Sequence, residues 1–169
     1  MMSGISSVVR DRRGAAAAEM ALVLPLLLTI MFGSLELGNY FMNEHTLVKA
    51  VRDGSRFAAR QSFTNYTSCS GSPGGTVVAD TRHVVRMGYR TGGTIITPRI
   101  EDTDISVTTS CKTTAGGQTM SGIYTGRVNG AQIVLVDATV NYQPIIGFFG
   151  IPVPSMKLKA RSEAAVAGM

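Results

Sequence analysis

Histidine and cysteine, which often serve in catalysis and metal binding, are scarce in this chain. Its 169 residues contain two of each. His45 and His83 fall in segments with helical spacing and have no third ligand beside them, so no metal site is predicted. The motifs GxSxG, HExxH, Walker A and paired CxxC are also absent. These absences argue against an enzyme and predict no cofactor, although a Ser/His/Asp site assembled in space stays open.

A concentrated basic surface is lacking as well. The net charge is +5, but residues 1–60 carry 7 basic and 5 acidic groups and residues 61–169 carry 9 and 6. The excess is spread thinly, without a basic stripe and interleaved aromatic residues. Nucleic acid is therefore not predicted as a partner.

What the chain does have is a long apolar run near its N-terminus. No charged residue occurs from Met20 to Leu35. A helix from Ala15 to Leu35 would be about 31 Å long at 1.5 Å per residue, close to the ~30 Å hydrocarbon core of a bilayer. The run predicts a transmembrane helix.

Basic residues precede this run and predict its orientation. Arg10, Arg12 and Arg13 favour a cytoplasmic N-terminus, because short segments rich in Lys and Arg stay inside. A cleaved secretory signal is the competing interpretation, but the residues after Phe32 offer no clean A-x-A cleavage site. An uncleaved anchor is predicted, with the rest of the chain across the membrane.

Glu19 is the single acid between Ala15 and Leu35. One interpretation is that it complements the positive end of the helix dipole. The other is that it awaits a cation: a cut after Gly14 would give Ala15 a free α-amino group, charged near neutral pH. The residues alone leave both interpretations open.

The segment from Gly14 to Glu19, GAAAAE, resembles the processing site of type IVb, Flp-type prepilins. The string RRGAAAAEMALVLPLLLTIMFGSLELGNYF, with VRDGSRFAAR at 51–60, resembles the TadE-like minor pilins (pseudopilins) of tight-adherence systems. Met20 stands where those proteins usually have an aromatic residue. The resemblance implies that a prepilin peptidase cuts between Gly14 and Ala15, and that Glu19 serves in assembly of a Flp-type pilus.

The resemblance also implies partners and a location. The partners are prepilin peptidase, other pilin and pseudopilin subunits, the inner-membrane pilus assembly machinery and membrane lipid. The location is the bacterial inner membrane, crossed once, with a periplasmic C-terminal domain and incorporation in an extracellular pilus. The alternative function is an unprocessed, membrane-anchored periplasmic scaffold or binding protein.

Four regions are expected along the chain: a cytoplasmic leader (1–14), the transmembrane helix (15–36), its periplasmic continuation (37–60) and a periplasmic α+β domain (61–169). Apolar or small residues continue the helical spacing at 37, 40, 41, 47, 48, 51, 54, 55 and 58. Gly54-x-x-x-Ala58 and Ser34-x-x-x-Gly38 have the spacing that permits close helix packing.

The predicted domain combines one helix with strands. Thr76 is expected to cap a short amphipathic helix that ends near Tyr89. Alternating residues predict half-buried strands at 105–111, 134–142 and 156–161, with a short one at 94–97. The segment 113–130 is expected to be a mobile connection. The fold class is α+β, a long helix packed on a small antiparallel sheet, as in the general pilin plan.

Three local features complete the expectations. Cys69 and Cys111 would pair in an oxidising compartment, and that loop would stabilise the fold by roughly 4 kcal/mol. Pro25 is expected to kink the span mildly or to unwind it during packing. The apolar, proline-rich segment 143–155 either fills the core or forms an exposed patch for a partner subunit or the membrane.

Overall fold

The computed structural model describes residues 12–90, 94, 100–115, 118–119, 121–125, 127, 129–149 and 155–168. The helices are α1 (Arg12–Ala59) and α2 (Val77–Met87). The strands are β1 (Ile105–Lys112), β2 (Thr114–Ala115), β3 (Gln118–Thr119), β4 (Ala131–Asn141) and β5 (Lys157–Ala165). Short 3-10 turns occupy Phe63–Asn65, Asp102–Asp104, Gly122–Tyr124 and Ile146–Phe149.

Helix α1 is one uninterrupted helix of 48 residues, about 72 Å long at 1.5 Å per residue. It starts three residues before the predicted Ala15 and passes through Pro25 without losing helical geometry. The Thr29 hydroxyl donates to the Pro25 carbonyl at 2.8 Å. The prediction that the apolar helix continues without a break onto the domain is confirmed.

Strands β1, β4 and β5 form an antiparallel sheet in the order β1-β4-β5. Val136 at the centre of β4 pairs with Val107 on one side and Ser162 on the other. Inward and outward residues alternate along β1 and through most of β4. The three main predicted strands are therefore confirmed, with ends shifted by a few residues.

The hydrophobic core lies between the outer half of α1 and one face of this sheet. Leu47, Val51 and Ala58 of α1 pack there with Val134 and Val136 of β4, each at most 1% exposed. Helix α2 packs on α1 beside the sheet. This is the predicted α+β architecture, a long helix on a small antiparallel sheet.

Helix α2 approaches α1 closely at Gly54. A Cβ atom on this glycine would collide with the Val85 side chain and lie 3.5 Å from that of Thr81. Ala58, one turn later, is fully buried. The small-residue spacing at 54 and 58 is thus used for packing, whereas Ser34 and Gly38 are exposed.

The predicted Cys69–Cys111 disulfide is present. It joins the loop after α1 to β1, and the same loop is held again where the Thr109 amide donates to the Gly71 carbonyl at 2.8 Å. The oxidised pair and this ladder-like hydrogen bond fix the loop against the sheet.

Several local expectations differ from the structure. The Thr76 side chain makes no cap to the backbone of α2 and donates instead to Asp80 Oδ2, at 2.9 Å. Leu37 and Phe41 lie on the predicted packing face yet are 56% and 48% exposed, because the sheet does not reach them. Segment 113–130 contains the paired strands β2 and β3. The strand predicted at 94–97 lies largely outside the described residues.

Candidate functional site: the exposed helix half and its junction with the domain

The N-terminal half of α1 buries almost nothing against the rest of the chain. Leu22 is 80% exposed and Leu26 61%. None of the most apolar part of this helix is buried inside the described structure. An apolar helix of this length, left uncovered by its own domain, is long and apolar enough to cross a membrane and indicates a membrane anchor.

The predicted processing residues lie at the start of this exposed helix. Gly14, Ala15 and Glu19 are all exposed, on consecutive turns of α1. A Cβ atom added at Gly14 would meet nothing within 4 Å. Arg12 and Arg13 are the first residues of α1, and Arg10 lies outside the described residues. Among the residues that the structure describes, none covers Gly14.

At the other end of the exposed half, Glu36 connects α1 to the sheet. The Tyr142 hydroxyl donates to Glu36 Oε1 at 2.5 Å, and the Ile146 amide donates to Oε2 at 3.1 Å. Asn39 Nδ2 donates to the same tyrosine oxygen at 2.8 Å. Burial, reinforced by the bond to Glu36, raises the pKa of Tyr142 to about 12.

Sequence reasoning did not find this junction. Glu36 reads in the sequence as the point where the helix leaves the membrane, and Tyr142 as one more inward residue of a strand. The two are 106 residues apart. The only signal in the sequence was that Glu36 is an acid at the end of an apolar run, and this does not predict which residue binds it.

The sheet register brings segment 143–149 to this junction. The Tyr142 amide donates to the Met156 carbonyl at 2.8 Å, so the end of β4 and the start of β5 lie together beside Glu36. Here an open groove of about 370 Å³ separates α1 from the domain. We call it the junction groove; its lining consists of Gly33, Glu36, Leu37, Tyr40, Tyr142, Ile146 and Met156.

The junction also bears on the two interpretations of segment 143–155. Ile145 is 48% exposed and Ile146 is half-buried against Glu36. The described start of the segment therefore lies at the domain edge and not in the core. Residues 150–154 lie outside the described residues, and the outcome for them stays a prediction.

The two histidines lie apart from this junction. His45 is an exposed residue of α1, and His83 Nδ1 lies 2.7 Å from the Tyr89 carbonyl. Within the part of the chain that the structure describes, no three His, Cys, Asp or Glu side chains come together. The geometry on which a function can be based is thus a surface: an uncovered apolar helix with one acid near its start.

Comparison with known proteins agrees with this surface. Residues 14–56 match the family of TadE-like proteins. The match starts at the glycine of the predicted cut and ends in the half of α1 that packs on the domain. No curated protein and no solved structure matches the chain significantly. Over its N-terminal helix the chain is therefore similar to the TadE-like proteins, and the match supports a TadE-like protein of tight-adherence pilus systems.

Proposed function

We propose that this protein is a minor pilin or pseudopilin, processed after Gly14 by a prepilin peptidase and used in assembly of a Flp-type pilus. The observation that carries the proposal is the long apolar half of α1, which no part of the described domain covers. Such a helix needs either lipid or the helices of other subunits around it, and a pilin uses both in turn. The function is one of packing, without catalysis.

The orientation we propose follows from the basic residues at the start of α1. Arg10, Arg12 and Arg13 keep the N-terminus in the cytoplasm, and the domain lies in the periplasm. The disulfide between Cys69 and Cys111 supports this side, since such bonds persist in oxidising compartments.

Glu19 sets the register between subunits in this proposal. A carboxylate at the centre of a bilayer costs about 2.5–3.5 kcal/mol, and less near its edge. Cleavage before Ala15 creates an ammonium group one helical turn, about 6 Å, from Glu19. Once the helices leave the lipid and pack together, the α-amino group of a neighbouring subunit can form an ion pair with Glu19.

Processing is tested by the mass of the protein extracted from the membranes of cells that assemble the pilus. We expect a mature chain that begins at Ala15. Gly14→Val is expected to abolish cleavage, because the peptidase would have to accommodate the added side chain at the cut. The fold itself tolerates this side chain, since nothing lies within 4 Å of a Cβ atom at Gly14.

Gly38→Val is the matched control. Gly38 is also a glycine of α1 with nothing within 4 Å of an added Cβ, so this variant is expected to be cleaved normally. Recovery of an intact chain from Met1 or Met2 in those cells would instead favour the unprocessed scaffold or binding protein.

Assembly is tested separately with Glu19→Ala. We expect normal membrane insertion and normal cleavage, but loss of the protein from sheared filaments or assembly complexes. Glu36→Ala is the comparison, since that carboxylate is occupied within its own chain. Wild-type incorporation of the Glu19→Ala protein would refute the register role.

A further inference from the structure

The junction groove is continuous with the predicted span. Gly33 and Leu37, on its helix side, lie 18 and 22 residues after Ala15, or about 27 and 33 Å along α1. That is the depth at which a hydrocarbon core of about 30 Å ends. The groove therefore opens where acyl chains give way to headgroups.

The domain side of the groove is apolar and partly uncovered. Met156 is 37% exposed, and Leu37 across the groove is 56% exposed. Ile145, which directly precedes the lining residue Ile146, is 48% exposed at the edge of the groove. The carboxylate of Glu36 does not stand free in this setting, because the Tyr142 hydroxyl and the Ile146 amide both bind it. An apolar surface with its one acid internally satisfied can enter the edge of a bilayer at little polar cost.

A basic side chain adjoins this apolar surface. Lys157 is exposed, directly follows Met156, and pairs with Asn141 at the end of β4. No described acidic side chain forms an ion pair with Lys157. Lysine at this level can reach anionic headgroups while its methylene groups lie against apolar neighbours.

We propose that this end of the domain rests on the membrane surface, with phospholipid as the occupant of the junction groove: an acyl chain between Leu37 and Ile146, and an anionic headgroup at Lys157. The inference rests on the proposed membrane anchoring. It deepens the proposed function by giving the stored subunit a fixed orientation on the bilayer before assembly.

The chain contains no tryptophan, so a single introduced tryptophan reports on one site. The full-length protein is reconstituted in vesicles of zwitterionic and anionic phospholipid whose acyl chains carry bromine, a contact quencher. Ile145→Trp probes the proposed contact and Leu28→Trp probes the span. Tyr89→Trp is the control, because Tyr89 is 67% exposed and lies beside Lys49, about 20 Å further along α1 than Glu36.

We expect Leu28→Trp and Ile145→Trp to lose most of their emission and Tyr89→Trp to keep it. Quenching of Leu28→Trp without quenching of Ile145→Trp would overturn the lipid contact and leave the proposed function intact. Absence of quenching in Leu28→Trp would overturn the span and the lipid contact together. Shielding of Ile145→Trp that depends on protein density, without quenching, would assign the surface to a second copy and overturn the inference.

The headgroup contact is tested by adding Lys157→Glu to Ile145→Trp. In anionic vesicles the quenching is expected to fall several-fold. Lys159→Glu is the matched control, because Lys159 is also exposed but pairs with Thr139, two residues further from the junction. Equal losses from the two substitutions would refute the contact at Lys157.

Discussion

Two tyrosines hold the ends of the packed half of α1. Tyr142 binds Glu36 and Asn39 at the junction. Tyr66, in the loop after α1, donates its hydroxyl to the Ala58 carbonyl in the last turn of the helix. Burial raises the pKa of Tyr66, as it does that of Tyr142, to about 12 from an ordinary 10.0.

These shifts predict how the folded domain responds to alkaline conditions. Below pH 10 both tyrosines keep their protons in the folded and the unfolded chain, and the stabilisation is fully present. Between pH 10 and pH 12 the unfolded chain releases the protons while the folded chain retains them. The free energy of unfolding therefore falls as pH rises through this window.

The prediction is checked by urea unfolding of the detergent-solubilised protein, followed by circular dichroism at a series of alkaline pH values. Tyr66→Phe and Tyr142→Phe should each flatten the decline, besides lowering stability at neutral pH through the lost hydrogen bond. Tyr89→Phe, at an exposed position, should leave the pH profile unchanged. A profile that neither buried substitution alters would contradict the assignment.

At the scale of elements, the contact between α1 and α2 depends on the missing side chain of Gly54. Val85 occupies the space where its Cβ would lie. Close packing of this kind leaves no room for added methylene groups, and overpacking typically costs about 1–3 kcal/mol.

Gly54→Leu is therefore expected to lower the free energy of unfolding by at least about 2 kcal/mol, measured by thermal or urea denaturation. Gly38→Leu, in the same helix with open space around it, should leave the free energy of unfolding unchanged or raise it by up to about 1 kcal/mol, because leucine favours a helix more than glycine does. Similar effects of the two would mean that α2 shifts freely on α1.

At the scale of the whole molecule, one continuous helix serves two different parts of the protein. Helix α1 belongs to both parts: residues 14–31 are exposed throughout, whereas Leu47 to Ala59 contribute a main part of the core. Because residues 14–31 bury no surface against the domain, we expect the stability of the domain not to depend on them.

A chain that starts at Glu36 is expected to fold as a soluble domain with the same unfolding temperature as the full-length protein. A chain that starts at Leu47 loses Glu36, Asn39 and Tyr40, all of which contact Tyr142, and should melt at a lower temperature. Size-exclusion chromatography and circular dichroism measure both. A lower unfolding temperature of the longer fragment in detergent would show that the apolar half is needed for the fold.

The long helix, the main strands and the disulfide were predictable from the sequence, because each follows from a local pattern. The apolar run from Met20 to Leu35 requires a nonpolar environment whatever the rest of the chain does. Alternation along β1 and β4 allows few other structures. Two cysteines permit only one intramolecular bridge.

Tertiary structure alone decided which of these local options were used. Of two small-residue spacings, only the one at Gly54 packs, because α2 lies beside it. Glu36 and Tyr142 meet because α1 packs on β4 and β5 in a position that brings the end of the sheet beside the end of the apolar run. Periodicity in the sequence predicts which side of its own helix or strand a residue lies on. A contact such as that between Glu36 and Tyr142 depends instead on how elements that are distant in the chain pack against one another. That arrangement is determined by the packing of the whole core.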